Sequence, residues 1–456
     1  MAIQKVSGVD KGSLQAVSGV AKTSIQAISG TTALFVTYDS VAEMGTGSGT
    51  TIRGPRSDEE GDNYPTSTEG GYRPVIAYDT NRDRVVVGWQ DLNSPNNPQL
   101  CVGKVANDGS VTWGSIIEPH GTNKGRFIDI EFNPNTNKIQ MMWNHDEGSD
   151  NYDPYGATFT INDDDGTDFL DGDTGTITNF SGSEIEYGTM AYDEDTESMY
   201  ICYKHGSNVK ARQFLDDCSD IASFDPDVPW DENNTQTYPT CTYAKSINRL
   251  LVACNDANTG HANCITLNSG DGNAQTVTLG DDDGYEFMAS QCDYIDIAWD
   301  ETVGKGLLVF RNGSAGKYQI FTVDDSDNSI AFPSGGSSAG TFESGDVKGC
   351  SVTWNENEGH FLIIYIDDAD SDKYKLVKAT VNSSDDNVAF GSILHFSNSS
   401  NSKPVHNFNT KMNHTKTAYL PDTGAKGIMV AVIRDHYSDI DAYRLSAQGT
   451  DYTNDV

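Results

Sequence analysis

Basic residues are scarce: Lys and Arg number 30 against 67 Asp and Glu, a formal net charge of −37 over 456 residues. Such an excess speaks against nucleic-acid backbones and anionic lipid as direct partners. No apolar run approaches the ~18 residues of a membrane-crossing helix. The N-terminus, MAIQKVSGVDKGSLQAVSG, lacks the apolar stretch of a secretory leader, so the expectation is synthesis in the cytoplasm of the producing cell. The eight cysteines (101, 202, 218, 241, 254, 264, 292, 350) form no C-x-x-C pair. That removes the usual zinc spacing and leaves buried free thiols, with disulfides only after exposure to an oxidising medium. Nucleophilic motifs are missing too: there is no G-x-S-x-G, no H-E-x-x-H, and the nine histidines are dispersed.

What is present is aromatic residues (10%), 44 glycines and many Asp, Asn, Ser and Thr, a composition of short strands and frequent turns. One unit recurs: an apolar stretch, an aromatic, often Asp or Asn, a polar turn, and a second apolar stretch. It reads PVIAYDTNRDRVVVGWQD at 74–91, IDIEFNPNTNKIQMMWNHD at 128–146 and IDIAWDETVGKGLLVFRNG at 295–313. The anchoring aromatics are Tyr78, Phe132, Tyr192, Tyr243, Trp299, Trp354 and Tyr419, spaced by 54, 60, 51, 56, 55 and 65 residues. In the first six units a second anchor follows 11 residues later (Trp89, Trp143, Tyr203, Cys254, Phe310, Tyr365), while the seventh fits only with about three extra turn residues.

Each unit reads as a β-hairpin whose second strand, such as VVVGW or FLIIY, is apolar enough to be buried on both faces. A more polar hairpin follows, as in IFTVDDSDNSIAF at 320–332. Two hairpins make four strands in one unit. The expected fold is all-β: a seven-bladed β-propeller of four-stranded blades over 31–456, preceded by an extended N-terminal arm at 1–30. Within 31–70, ALFVTYD at 33–39 is placed to supply the outer strand of the last blade and close the ring.

The arm holds a second repeat. IQKVSGVDKGS, LQAVSGVAKTS and IQAISGTT align with a period of 11, each with apolar residues around a Ser-Gly turn. Three such pieces bury too little to fold alone. They read as a docking segment that adds strands to other proteins or other copies, through Ile3, Val6, Val9, Leu14, Val17, Val20, Ile25 and Ile28. These repeats resemble the N-terminal repeats of structural proteins of tailed bacteriophages, particularly marine ones. The resemblance covers about 30 residues and implies a virion component, docked by its N-terminus and displaying its body outward. The implied role is surface decoration or host adhesion on tail, fibre or head, without catalysis, as a homo-oligomer on the particle.

Two further constellations bear on ligands. Five residues before their anchors stand Phe127, Tyr187, Tyr238 and Tyr294; Tyr72 and Arg73, Arg126 and His414 fall at or beside the same place. In a ring they circle one mouth of the central channel, where aromatics stack on sugar faces and Arg and His bond hydroxyls. Host-surface glycan is therefore the candidate ligand. No cofactor is expected, with calcium as the one inorganic candidate, at Asp368, Asp370 and Asp372. No full EF-hand follows, since Lys373 stands where the turn glycine belongs. The alternatives are a propeller glycan hydrolase or depolymerase and a protein-interaction scaffold. The only Asp-box of the sialidase type, Ala106 to Trp113, is degenerate.

Overall fold

A computed structural model describes most of residues 75–395, apart from stretches of which the longest are 163–177 and 215–235. Outside that range it gives backbone strands alone: Ala16–Val17, Val20–Ala21, Phe35–Glu43, Gly45–Thr46, Thr50–Thr51, Thr415–Leu420, Ile428–Arg434 and Ile440–Gln448. The described chain is all-β and antiparallel, with one 3-10 turn at Lys245–Ile247 and no α-helix.

The hairpins form where the repeat places them. Tyr78 pairs with Val85, Phe132 with Ile139, Tyr192 with Met199, Tyr243 with Leu250, Trp299 with Gly306 and Trp354 with Phe361, always seven positions on. Tyr419 pairs with Met429, ten on, so the seventh unit carries its three extra residues in the turn. The residue after the anchor closes the turn. Asp79 Oδ1 accepts from Asn81 N and Arg82 N at 2.9 and 3.0 Å, and Asn133, Asp193 and Asp300 repeat the arrangement. The fourth unit has Ala244 there. Its turn becomes 3-10, and Glu301 of the following sheet takes the N–H groups of Lys245 and Ser246 at 2.9 and 2.7 Å.

Burial raises the carboxyl pKa of Asp300 against the lowering effect of its two N–H bonds. An acid whose pKa is higher folded than unfolded favours folding at low pH, and that contribution is lost as pH climbs through the folded value. Asp300→Asn keeps the Oδ1 acceptor and removes the buried charge. It is expected to be at least as stable as the parent at pH 7, with the difference shrinking toward pH 4, in denaturant melts at both pH values. Lower stability of the variant at pH 7 would contradict this reading.

The second strands are the core. Val85, Val86 and Val87 are fully buried, as are Leu307 through Phe310, and His360–Asp367 is buried along its whole length. Among the described residues seven sheets hold three to five strands each, beside two minimal two-stranded pairs. The first strand of each packs beside the first strand of the next: Val75–Asp79, Lys124–Asn133, Glu186–Asp193, Gln236–Ala244, Asp293–Asp300, Val347–Asn355 and Thr415–Leu420, the last lying beside the first. Sheets radiating from adjacent first strands are the arrangement of a β-propeller. Neighbouring first strands run level and in the same sense. Asp296, three residues before its anchor, bonds Thr240 and Ser351, each three residues before theirs.

The strand order of the last sheet is notable for its chain origin. Phe35–Glu43 pairs with Ile440–Gln448 from Phe35 opposite Gln448 to Glu43 opposite Asp441. An N-terminal strand thus completes a C-terminal sheet, as ALFVTYD suggested.

The fourth strand departs from expectation. In the fourth, fifth and sixth sheets two short strands share that place. Ser329–Ala331 and Gly340–Glu343 both pair Ala315–Asp324, for example. Glycine makes room for the second piece: a Cβ on Gly260 would lie 2.5 Å from the Phe287 ring, and one on Gly316 2.5 Å from Phe342. The third sheet shows three strands among the described residues. All six described cysteines are free thiols. Of the arm, Ala16–Val17 and Val20–Ala21 form a minimal antiparallel pair, Val17 opposite Val20, with Ser18-Gly19 between them in the chain. Ile3, Val6, Val9, Leu14, Ile25 and Ile28 lie outside the described residues.

Candidate functional site at the channel mouth

Each described first strand from the second sheet to the sixth begins with a bulge. The register shifts between Arg126 and Asp129, Glu186 and Gly188, Thr237 and Thr240, Asp293 and Asp296, and Lys348 and Cys350. Four residues inside these bulges, each five before its anchor, have left-handed backbone: Tyr187 (φ 49°), Tyr238 (φ 56°), Tyr294 (φ 55°) and Gly349 (φ 62°). Glycine occupies that region without penalty, whereas a residue with a Cβ pays about 1–2 kcal/mol. Three sheets therefore hold tyrosine where the sixth shows that glycine suffices.

The tyrosines differ in surroundings. The Tyr187 and Tyr238 rings meet across two sheets, 4.5 Å between centroids and tilted by 51°, and both are half-buried. Lys204 Nζ lies 5.8 Å from the Tyr187 centroid, over the ring. Tyr294 is 6% exposed, so it offers little free face. Burial pushes its phenol up to about 12, partly offset by the neighbouring Arg311 guanidinium. Arg311 in turn pairs with Asp346 at 3.0 Å.

Below the tyrosines runs a polar belt. Asp296 Oδ1 accepts from Thr240 Oγ1 (3.0 Å) and Ile297 N (3.1 Å); Oδ2 accepts from Ser351 Oγ (2.7 Å) and Val352 N (3.0 Å). One carboxylate thereby ties three sheets. Asp129 does the same for two, taking Ile130 N at 3.0 Å and Met190 N at 2.7 Å. A second polar group spans the fifth and sixth sheets. Tyr365 Oη donates to Glu343 Oε2 at 3.0 Å, and Lys375 pairs with Asp367 and, at 3.8 Å, with Glu343. Burial, then Glu343, push the Tyr365 phenol well above its ordinary range. At neutral pH it is a proton-bearing donor, not a nucleophile.

No family model matches the chain, and no curated protein does. Solved structures do. The polysaccharide lyase Uly1 is similar at 12% identity and a TM-score of 0.47, over 91% of this chain and 98% of that one. A mutant NanB sialidase from Streptococcus pneumoniae is similar at 11% identity and 0.42, over 85% of this chain and 70% of that one. The Dos1 propeller is similar at 9% and 0.43, over 84% and 94%. At such identities and TM-scores the likenesses give this chain neither activity nor substrate.

The structure thus brings Tyr187 and Tyr238 into contact and sets Tyr294 at the equivalent place in the next sheet. Arg126 and Phe127 fall in the strand Lys124–Asn133, whose backbone alone is described at those two positions. Tyr72, Arg73, His414 and the calcium candidates Asp368, Asp370 and Asp372 lie outside the described residues. Among the described residues no group of three or more His, Cys, Asp or Glu is arranged to hold a metal ion. Sequence reasoning missed Lys204 and Arg311. The pairing of Glu186 with Lys204 and of Asp293 with Arg311 sets both near a bulge tyrosine, and that register follows from the anchors.

Proposed function

We propose that this chain is a recognition module of a tailed-phage particle: a seven-bladed β-propeller of four-stranded blades over 31–456, held to the virion by the arm at 1–30, and binding host-surface carbohydrate at the channel mouth. The observation that carries the ligand reading is the retention of tyrosine at 187, 238 and 294 in backbone that favours glycine. Strain kept in successive sheets at one level points to a use for the side chains. Amphipathic rings flanked by a lysine suit the apolar faces and hydroxyls of a sugar. The seven sheets, the return of the last first strand to the first, and the strand Phe35–Glu43 in the last sheet support the blade count and closure. The virion reading rests on the three 11-residue repeats, of which the second forms the pair of strands around Ser18-Gly19.

Deleting residues 1–30 is expected to leave a folded propeller that no longer sediments with particles. Immunogold labelling of particles carrying full-length or truncated protein reads this directly. Incorporation of the truncated protein at the full-length level would defeat the docking role. A second reading, glycan cleavage, is favoured by the group of Tyr365, Glu343, Lys375 and Asp367, which sets a protonated phenol beside a carboxylate. It requires that the protein lower the viscosity of a polysaccharide solution and that Glu343→Gln stop it; the binding reading requires unchanged viscosity.

A further inference from the structure

At the corner between the third and fourth sheets, close in the chain to Tyr238, stand two amide side chains with unmet buried atoms, those of Gln236 and the half-buried Asn208. Gln236 is fully buried. Its backbone N–H donates to Ser207 O at 2.7 Å, and its side-chain Oε1 accepts from Val209 N at 2.8 Å. These two bonds clamp Gln236 around residue 208 and fix which way its amide points. Nε2 is then left as a donor and the Asn208 Oδ1 as an acceptor, both atoms buried and neither with a hydrogen-bond partner among the described residues. Gln236 lies two residues before Tyr238. Asn208 opens the third strand of its sheet, opposite His205 and one step from Lys204, which covers Tyr187.

We infer that Gln236 and Asn208 are a specificity-determining pair that reads one hydroxyl of a neutral saccharide stacked on Tyr187 and Tyr238. This inference rests on the carbohydrate reading above and adds the substrate class. The chemistry selects narrowly. A hydroxyl accepts from Nε2 and donates to Oδ1 at once, meeting both groups. A carboxylate or sulfate ester accepts only, so it would leave Oδ1 unmet and face its lone pairs. An ammonium donates only and would leave Nε2 unmet. Buried polar groups left unpaired are the strongest source of discrimination between otherwise similar ligands. The net charge of −37 acts in the same direction against polyanionic glycans.

The test uses the full chain and a panel of neutral oligosaccharides matched to uronate-containing counterparts, with affinities from titration calorimetry. The parent protein should bind a neutral member and bind its uronate counterpart at least about tenfold more weakly. Gln236→Glu keeps the acceptor for Val209 N and replaces the free donor with an acceptor. It should weaken the neutral ligand about tenfold or more in a protein that still unfolds cooperatively, at a lower temperature because a carboxylate is now buried. Asn208→Ala removes the acceptor, changes no clamping bond and is the second variant, should Gln236→Glu fail to fold. A deoxy analogue lacking the hydroxyl that is read should bind the parent as weakly as the natural sugar binds the variants, and should lose nothing further on mutation. If both variants bind like the parent while Tyr238→Ala does not, the hydroxyl-reading pair is overturned and the carbohydrate site stands. Equal binding of the uronate overturns the selectivity. If the parent binds no member of the panel, both readings fall.

Discussion

Replacing Asp296 with alanine is expected to lower the unfolding free energy by about 3–5 kcal/mol, more than any other single change at the mouth. The carboxylate is 6% exposed and accepts four hydrogen bonds, from Thr240, Ile297, Ser351 and Val352. Two donors are backbone N–H groups, which cannot turn to other partners. Alanine leaves them buried and unmet and also unties the fourth and sixth sheets from the fifth. Asp296→Asn is the informative control. It keeps one acceptor oxygen but turns an NH₂ group toward Ser351 and Val352, so it should recover at most part of the loss. Chemical denaturation of parent, alanine and asparagine variants measures the series. Alanine within about 1 kcal/mol of the parent would mean that the sheets are held without this hub.

The second large effect concerns ligand binding. Tyr238→Ala should weaken saccharide binding about tenfold or more, since it removes one of two touching aromatic faces. A pair of variants separates the ring's use from its structural cost. Alanine keeps the left-handed backbone penalty and loses the contact with Tyr187. Glycine loses the same contact but relieves about 1 kcal/mol of backbone strain. Tyr238→Gly should therefore melt at a higher temperature than Tyr238→Ala, while both bind about tenfold or more weakly than the parent. Titration calorimetry with thermal melts on both variants decides it. Glycine at 238 with parental affinity would show the tyrosine to be packing alone.

How much of this was legible in the sequence varies with the range of the interaction. The hairpins were, because the aromatic, the Asx residue and the turn are contiguous and fix the seven-residue pairing offset. The extra length of the last turn and the strand near residues 33–39 were also visible. The tyrosine positions were readable from their constant distance to the anchors, although not their left-handed backbone. The split outer strands were not legible. Phe287 and Phe342 pack over Gly260 and Gly316, more than 20 residues earlier, and nothing local marks them as pairing partners. Asp296 was not singled out: it is an acid inside an apolar run, and its partners Thr240 and Ser351 lie 56 and 55 residues away. Gln236 and Asn208 carry no pattern at all: their clamp is a meeting of two strands separated by 215–235.

The strand that completes the last sheet also sets a direction. Thr415–Leu420 starts at the level of the tyrosine bulges, as the other first strands do, and Ile440–Gln448 runs in the same sense, ending with Gln448 on the far side. Phe35 pairs with Gln448, so the strand Phe35–Glu43 begins on the side away from the tyrosines. If residues 1–30 dock to a particle as proposed, the module is held from behind and every copy would turn its tyrosine end outward. Individually weak contacts then add as avidity, which relieves the site of any need for tight single-copy affinity and leaves each contact free to release and re-engage.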